Sequence, residues 1–517
     1  MLPSWTEVGA VLLVVLGSVI VWAFVLPKVV HGRSVPGPEP SWLLGNVLDF
    51  VRLGQQVPQV LLHFRRKYGR CYQIWFFHQR VAVLTDLDDV QFVLKELNAP
   101  KHVSLKRCVA SAGGEGLLTV SAPHHAPRRR AIAKHMHAGF LQHLHEHIDL
   151  QARLLAEKLR QAADREQVLD WGKASLALTL DVICSAAFGR SAHAQADPHQ
   201  VLPKAVAVIM FEAGRNAALY PFRNAFGWYR NTRLRAAYDT VHRFAAEALQ
   251  ARQRETEAAR RARPRDLLDV FRDAEREGVS FDVISEMITF MLAGHETTAL
   301  GMSWLLYEVA QRPEVERRIR EEVDAVYGDR MDFLLPFEDI ARLEYLTRAW
   351  KEALRLHPIK AAGTFRQLEQ TVRLPGSAYV LTRGTGVLIP PYVLHREPQH
   401  WPEPEAFRPE RFTREATARR HPLAYQAFSG GPRNCIGQPM AVHESLAVLA
   451  ALYRHYRVEL ACAPGEVAEF HDLSLKPQVK ADAERGILEE SVLPVRLRAR
   501  KQWSASQPRW QKEGVAC

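Results

Sequence analysis

Cysteine is scarce in this chain, which has six among 517 residues, at positions 71, 108, 184, 435, 462 and 517. Cysteines so few and so scattered do not suggest a disulfide framework, which argues against a small secreted protein stapled by disulfides. The composition fits a body that folds in a reducing compartment, where ordinary packing accounts for most of these side chains.

Internal repeats and low-complexity linkers are also missing between about residue 42 and residue 498. Length alone would allow several domains, but nothing in the sequence divides this stretch. We therefore predict one large domain over residues 42–498. A polar tail, residues 499–517, follows it and is predicted to be disordered.

A nucleic-acid recognition motif is missing too, although the chain is basic, with a net charge of +11. No aromatic platform accompanies the basic residues, so we predict no nucleic-acid partner. Arg128–Arg130, Lys134 and Arg433 instead suggest a basic face that would steer an acidic protein partner.

Charge is absent over the 19 residues from Val8 to Leu26. At a helical rise of about 1.5 Å per residue, this length spans most of a ~30 Å hydrocarbon core. Glu7 precedes the segment, whereas Lys28 and Arg33 follow it, and this asymmetry predicts a cytoplasmic body behind a single-pass anchor.

A cleavable signal peptide is the alternative for this segment, but residues 2–7 contain neither Lys nor Arg. We therefore predict a membrane anchor over residues 1–30. A proline-rich hinge, residues 31–41, would stiffen the chain where it leaves the bilayer.

Hydrophobic periodicity predicts a mainly α fold with small β-sheets. The predicted elements include a helix over Pro58–Tyr68, a hairpin of Arg70–Phe76 with Arg80–Thr85, strands within Thr371–Ile389, and a C-terminal hairpin of Leu473–Pro477 with Leu493–Leu497. The residues between Pro477 and Leu493 are more than such a hairpin needs, and the sequence gives them no role.

The most informative stretch is Phe428-Ser-Gly-Gly-Pro-Arg-Asn-Cys-Ile-Gly437, which surrounds Cys435. Gly431 and Gly437 would let the backbone fold close to the sulfur and to a bound group. Arg433 is placed to reach an anionic group, and Phe428 could pack beside the sulfur and limit water. The apolar run after Gly437 predicts a helix whose N-terminus favours a thiolate. The alternative is a buried structural cysteine in a Gly-rich turn.

This string resembles the cysteine loop of the cytochrome P450 family of haem-thiolate monooxygenases, eukaryotic microsomal type. The resemblance runs from the N-terminal anchor to about Arg498. It implies the P450 fold and a haem b, iron protoporphyrin IX, whose iron takes the Cys435 thiolate as its axial ligand.

A second motif, Phe290-Met-Leu-Ala-Gly-His-Glu-Thr-Thr298, lies in a helix predicted from about Asp282 to Val309, with Ser280 as a candidate N-cap. It matches the helix that crosses the haem face in the family. Ala293 and Gly294 would leave room for a ligand of the iron. Some fatty-acid hydroxylases carry Glu in place of Ala293 and bind haem covalently, so we predict a non-covalent haem here.

Glu296 and Thr297 place an acid and a hydroxyl beside that gap. Because cleavage of an O–O bond requires two protons, the resemblance assigns both residues to a proton relay. Alternatively, Glu and Thr within a helix form a solvated face or bond back to the backbone.

A third motif pairs Glu352 with Arg355 on a helix predicted between Tyr345 and Pro358, since residues three apart share a helix face. By resemblance this is the Glu-x-x-Arg pair of the family, locked to Arg411 in a structural network. Such pairs also occur by chance in helical proteins, so the order of the motifs along the chain carries the argument.

A fourth motif departs from the family pattern. The family has Trp-x-x-x-Arg, whose Arg binds a haem propionate, but here His125 replaces Trp and Arg129 follows. Arg128 and Arg130 are rivals for that role, and the alternative is a basic surface turn. Arg366 is a further propionate candidate.

The resemblance implies a monooxygenase of the endoplasmic reticulum membrane with O2, a lipophilic substrate and NADPH-cytochrome reductase as partners, and leaves cytochrome b5 open as a second donor. Phe211, Tyr220, Phe222 and Phe226 suggest a lipophilic substrate that enters from the bilayer, but ordinary core packing explains them equally well. Two other functions remain: an O2-independent isomerase or dehydratase of hydroperoxides, and a haem-binding protein without turnover. The acid–alcohol pair favours oxygenation.

Overall fold

The computed structural model describes residues 28, 34–54, 56–104, 114–136, 138–197, 201–219, 232–263, 265–480 and 493–500. The chain divides into two compact units. The first unit contains the chain up to Val103, Lys360–Pro404 and His421–Asn434, and the second contains Ser104–Ile359, Glu405–Arg420 and the chain from Cys435 onward. Most of the predicted anchor and tail lies outside the described residues.

Helices dominate the described chain, and the prediction of a mainly α fold with small sheets is confirmed. The α-helices are Val47–Leu53, Val57–Tyr68, Leu87–Gln91, His125–Ala133, Ala138–Asp164, Trp171–Phe188, Val201–Leu219, Thr232–Gln253, Glu257–Ala262, Leu267–Arg276, Val283–Ala310, Pro313–Tyr327, Glu344–Leu356, Pro391–Leu394, Arg414–Ala418 and Gln438–His455. The strands are β1 Cys71–Phe76, β2 Gln79–Leu84, β3 Leu169–Asp170, β4 Thr364–Gln367, β5 Val372–Arg373, β6 Val380–Leu381, β7 Gly386–Ile389, β8 Tyr456–Leu460, β9 Val467–His471, β10 Leu475–Val479 and β11 Pro494–Ala499.

The first unit is built on a four-stranded sheet in the order β1-β2-β7-β4. β1 and β2 form the predicted antiparallel hairpin, and β7 runs parallel to β2. The helix Val57–Tyr68, also predicted, packs Val60, Leu61 and Phe64 against Tyr72 of this sheet. The Tyr72 hydroxyl donates to the carbonyl oxygen of Leu61 at 2.7 Å, so its polar end is satisfied within the apolar core.

The second unit is organised around Val283–Ala310, which we name the central helix. The sequence predicted its extent, but its N-cap is Asp282 and not Ser280, because the Asp282 carboxylate accepts from the backbone N–H of Ser285 at 3.1 Å. A carboxylate also suits the positive end of the helix dipole.

The helix Trp171–Phe188 packs closely against the central helix. The Thr179 hydroxyl donates to the carbonyl oxygen of His295 at 2.9 Å. A Cβ at Gly294 would lie 3.1 Å from Cγ1 of Ile183, so glycine allows the two helices to approach closely.

Among the described residues, Trp171–Phe188 is the one helix with the length and hydropathy of a membrane span, and 78% of it is buried inside the protein. Its carboxylate, Asp181, accepts from the backbone N–H groups of Ala194 at 2.8 Å and Gln195 at 2.9 Å. This helix is therefore part of the folded body. The predicted anchor, Val8–Leu26, lies outside the described residues.

The C-terminal strands differ from the prediction. Leu473–Pro477 does not form a hairpin with Leu493–Leu497. Instead β10 pairs with β9, a strand that the sequence did not indicate, while β11 pairs with β8 and with β3. The two predicted partners therefore belong to different sheets of the second unit.

Candidate active site

The boundary between the two units falls between Asn434 and Cys435, inside the cysteine motif. In the first unit, Gly431–Arg433 form one 3-10 turn. Gly431 has φ +74°, and a Cβ there would lie 2.6 Å from the carbonyl oxygen of Leu94, so this position requires glycine. Phe428 is half-buried and Arg433 is buried.

In the second unit, Cys435 is exposed, and Ile436 and the N-cap Gly437 separate it from the helix Gln438–His455. The positive end of this helix favours an anionic sulfur. A Cβ at Gly437 would meet the Cys435 sulfur at 4.0 Å, which is ordinary contact, so the protein alone does not require glycine there.

The three consecutive arginines have different environments. Arg128 is buried, and its guanidinium donates to Glu286 at 3.3 Å and to the carbonyl oxygens of Ser280 and Glu115. It is therefore not part of the basic face that the sequence suggested. Arg130 is exposed.

Arg129 is half-buried on the helix His125–Ala133. Burial lowers the pKa of Arg129, and the nearby Cys435 thiolate opposes this shift. Arg129 therefore lies within electrostatic reach of the Cys435 sulfur. His125, at the start of the same helix, is buried.

Arg366 is a buried cation of the first unit, with 1% of its surface exposed. Its Nη1 donates to the carbonyl oxygen of Ala99 at 3.0 Å, whereas its Nε and Nη2 have no hydrogen-bond partner among the described residues. Burial and the neighbouring charge of Arg433 lower the pKa of Arg366 to about 10. A buried guanidinium with two N–H groups unused by the described residues, and with a second cation in its neighbourhood, fits a carboxylate ligand such as a haem propionate.

The middle of the central helix has one face that is not buried. Between Ser285 and Leu306, the residues on this face are Thr289, Ala293, Gly294 and Thr297, and the remaining residues are buried. The Thr297 hydroxyl donates to the carbonyl oxygen of Ala293 at 2.7 Å. The face therefore combines small side chains with one hydroxyl whose orientation is fixed by its own helix.

Glu296 lies one position away, and its environment is different. Its carboxylate is buried and forms an ion pair of 3.0 Å with Lys476, and the Ser474 hydroxyl donates to its other oxygen. Lys476 and Ser474 were not identified from the sequence. They lie 180 and 178 residues from Glu296, and the hydrogen bond from Trp304 to Leu475 holds their segment against the central helix.

The predicted structural network is present. Glu352 and Arg355 are fully buried and joined at 2.7 Å. Glu352 also accepts from Arg411 at 3.2 Å and from the backbone N–H of Arg408 at 2.8 Å. Because a buried ion pair needs all its partners, this cluster fixes the segment around Arg411 to the helix Glu344–Leu356.

Comparisons with known proteins agree with this arrangement. A family model described as Cytochrome P450 matches residues 35–480. Cytochrome P450 4d2 of Drosophila melanogaster is 30% identical over 479 residues, which cover 87% of this chain and 93% of that protein. Cytochrome P450 4V2 of Mus musculus is 30% identical over a stretch that covers 86% of this chain and 88% of that protein. Cytochrome P450 4A6 of Oryctolagus cuniculus is 32% identical, covering 88% and 89%.

The match extends over both units of the described chain, from the first strands to β10. It includes the motif around Cys435 and the arginines whose burial suits an anionic cofactor. From these observations together, the chain belongs to the cytochrome P450 family and is a haem-dependent monooxygenase.

Proposed function

We propose that this protein inserts one oxygen atom of O2 into a lipophilic small molecule, such as a fatty acid, sterol, terpenoid or xenobiotic, with electrons from an NADPH-cytochrome reductase. The observation that carries the proposal is the open face of the central helix, on which Ala293, Gly294 and Thr297 lie together with Thr289. Small residues beside a hydroxyl leave space for a substrate and provide a group that can pass a proton.

The residues of the chain have separate roles in this proposal. A bound haem with a thiolate ligand supplies the binding and activation of O2. Cys435 would hold the iron, and Thr297 and Glu296 would move protons. The acidic side groups of the haem would be bound by Arg129, Arg366, Arg433 and His125. The space around the haem would be shaped by Phe428, Gly431, Gly437, Ala293 and Gly294.

The first test is the ligand. Full-length protein, expressed with haem supplementation, should give the carbon monoxide difference spectrum of a thiolate-ligated haem, and Cys435→Ser should lose it. Cys462→Ser is the matched control, because Cys462 is a half-buried cysteine of the same unit. A spectrum typical of imidazole ligation, or an unchanged spectrum in Cys435→Ser, would refute the assignment.

The second test is the reaction. With a reconstituted reductase and a panel of lipophilic compounds, NADPH consumption should depend on O2 and yield a hydroxylated or epoxidised product. Turnover of hydroperoxides without NADPH would instead support an isomerase or dehydratase. Haem binding with no turnover of any compound would support a carrier or sensor.

A further inference from the structure

Glu296 is not an isolated acid on the central helix. Ser474, just before strand β10, and Lys476, within it, contact Glu296 inside the second unit, and Asp472 in the β9–β10 turn contacts Lys476. Glu296 is 5% exposed, Ser474 0% and Lys476 3%. Charged groups this deeply buried are costly unless they are paired, so the arrangement is a specific one.

The contacts engage both oxygens of the Glu296 carboxylate. Lys476 Nζ lies 3.0 Å from Glu296 Oε1 and 2.9 Å from Asp472 Oδ2, and the Ser474 hydroxyl donates to Glu296 Oε2. Burial opposes the charged form of Lys476, but Glu296 and Asp472 outweigh it and raise the pKa of Lys476 above its ordinary value. The lysine is therefore an ammonium that two carboxylates share.

The β9–β10 hairpin that carries these residues is itself fixed within the second unit. The indole N–H of Trp304, on the central helix, donates to the carbonyl oxygen of Leu475 at 2.9 Å. The backbone N–H of Leu475 donates to the carbonyl oxygen of Ile359 at 2.8 Å. Lys476 is thus held in position by the backbone on which it sits and not only by its own ion pairs.

The neighbouring hydroxyl faces elsewhere. Thr297 donates to the carbonyl oxygen of Ala293, on the open face, and adjacent residues of a helix point about 100° apart. The Glu296 carboxylate therefore faces the β9–β10 turn while the Thr297 hydroxyl faces the open side. The charge and position of the acid are controlled from the side away from the proposed substrate.

We infer that Lys476 is a positioning residue for the oxygenation reaction, which holds Glu296 as a fixed carboxylate next to Thr297, with Ser474 and Asp472 completing its support. This inference rests on the proposed function. Without the ammonium, a buried carboxylate takes up a proton or turns away, and the proton supply beside Thr297 is disturbed.

Three variants of Lys476 separate charge from shape, with the ratio of hydroxylated product to hydrogen peroxide per NADPH as the readout. Lys476→Arg keeps the charge, so this product-to-peroxide ratio, the coupling, should stay within about twofold of the wild type. Lys476→Met should lower the coupling by about tenfold, which is less than the rate factor that a general acid or base usually contributes. Lys476→Gln keeps polar contacts without the charge and should also lose coupling. It remains informative if Lys476→Met does not fold. Lys480→Met, an exposed lysine at the end of the same segment, is the matched control.

A charge exchange distinguishes positioning from simple structural support. The double variant Glu296→Lys with Lys476→Glu restores an ion pair but removes the acid from the central helix, so it should bind haem and remain uncoupled. Wild-type coupling in this variant, in Lys476→Gln or in Lys476→Met with an intact thiolate spectrum would overturn the inference. If the wild-type protein itself yields no product with NADPH and O2, the proposed function fails instead.

Discussion

At the scale of single residues, burial decides between side chains that the sequence leaves equivalent. Three consecutive arginines, Arg128, Arg129 and Arg130, have the same side chain, but successive residues of a helix point about 100° apart. Arg128 therefore donates a hydrogen bond to Glu286 inside the second unit, Arg129 lies near Cys435, and Arg130 faces solvent. A motif that specifies only the spacing of residues identifies the helix, but it does not say which arginine is buried and which is exposed.

Replacement of Arg129 should weaken haem binding. We expect Arg129→Leu to lower haem affinity by about tenfold, because residues that support a cofactor from beyond its direct ligands contribute on this scale. The measurement is the haem content per polypeptide, followed through titration of apoprotein with haem. Arg130→Leu, on the same helix but exposed, should bind as the wild type does. An equal loss in both variants would assign the effect to net charge.

Sequence motifs anticipate the residues whose partners lie close in the chain or in a fixed pattern. Glu352 and Arg355 are one helical turn apart, so their contact follows from local geometry. Lys476 has no such signal, because its partner Glu296 is far away in the chain, and the two meet only where the β9–β10 hairpin lies against the central helix. Nor does the segment Asp472–Lys480 single it out, because that segment is mixed polar and apolar and contains a second lysine, Lys480.

At the scale of elements, helices are easier to predict than strand pairing. The central helix and the helix Glu344–Leu356 agree with their periodicity, which is a local property. The C-terminal hairpin was wrong because strand pairing depends on the rest of the sheet: β11 finds its partners in β8 and β3. The apolar pattern of a strand does not say which neighbour it will have.

The helix Gln438–His455 ends in a group that makes the second unit sensitive to acid. His455 is 3% exposed and stacks on Phe333, and burial lowers its pKa from 6.5 to about 4. Because the folded pKa lies below the unfolded one, the unfolded chain binds more protons between these values. The contribution of His455 is therefore fully present above pH 6.5 and is lost as the pH falls toward 4.

Replacing His455 should reduce this acid sensitivity. When the pH falls from 7 to 5, the free energy of unfolding should decrease in both proteins. The decrease should be about 1 to 2 kcal/mol smaller for His455→Gln than for the wild type. Urea unfolding followed by tryptophan fluorescence measures the difference, and the comparison of slopes is independent of any constant destabilisation. His242→Gln, at an exposed helical position, should keep the wild-type slope. Parallel slopes for His455→Gln and the wild type would contradict the expectation.

At the scale of the whole molecule, the units are assembled from segments that are far apart in the chain. The first unit includes the distant segments Lys360–Pro404 and His421–Asn434. Strand β7 belongs to the segment Lys360–Pro404 and pairs with β2. The composition does not mark the ends of these segments. The segments join the unit through contacts between distant residues, and no linker sequence separates them from the rest of the chain. The sequence therefore anticipates the fold class and the motifs, while the division of the chain depends on tertiary pairing.

Membrane attachment is a prediction for the full chain. Deletion of residues 1–30 should move the protein from the microsomal membrane pellet to the supernatant, because the uncharged Val8–Leu26 segment is long enough to cross a bilayer. Fractionation at high salt, with deletion of residues 502–517 as the control, measures the change. A truncated protein that stays fully in the pellet would show that another surface carries the attachment.

The helix Trp171–Phe188 has a consequence for synthesis of the chain. Insertion machinery responds to the apolarity of a nascent segment before it has packed, and this segment has the length and hydropathy of a membrane span. Asp181 lies near its middle, where an ionised carboxylate costs about 3 kcal/mol on translocon insertion scales. The side chain that anchors the backbone of Ala194 and Gln195 after folding thus also opposes a misinserted topology while the ribosome is still at work.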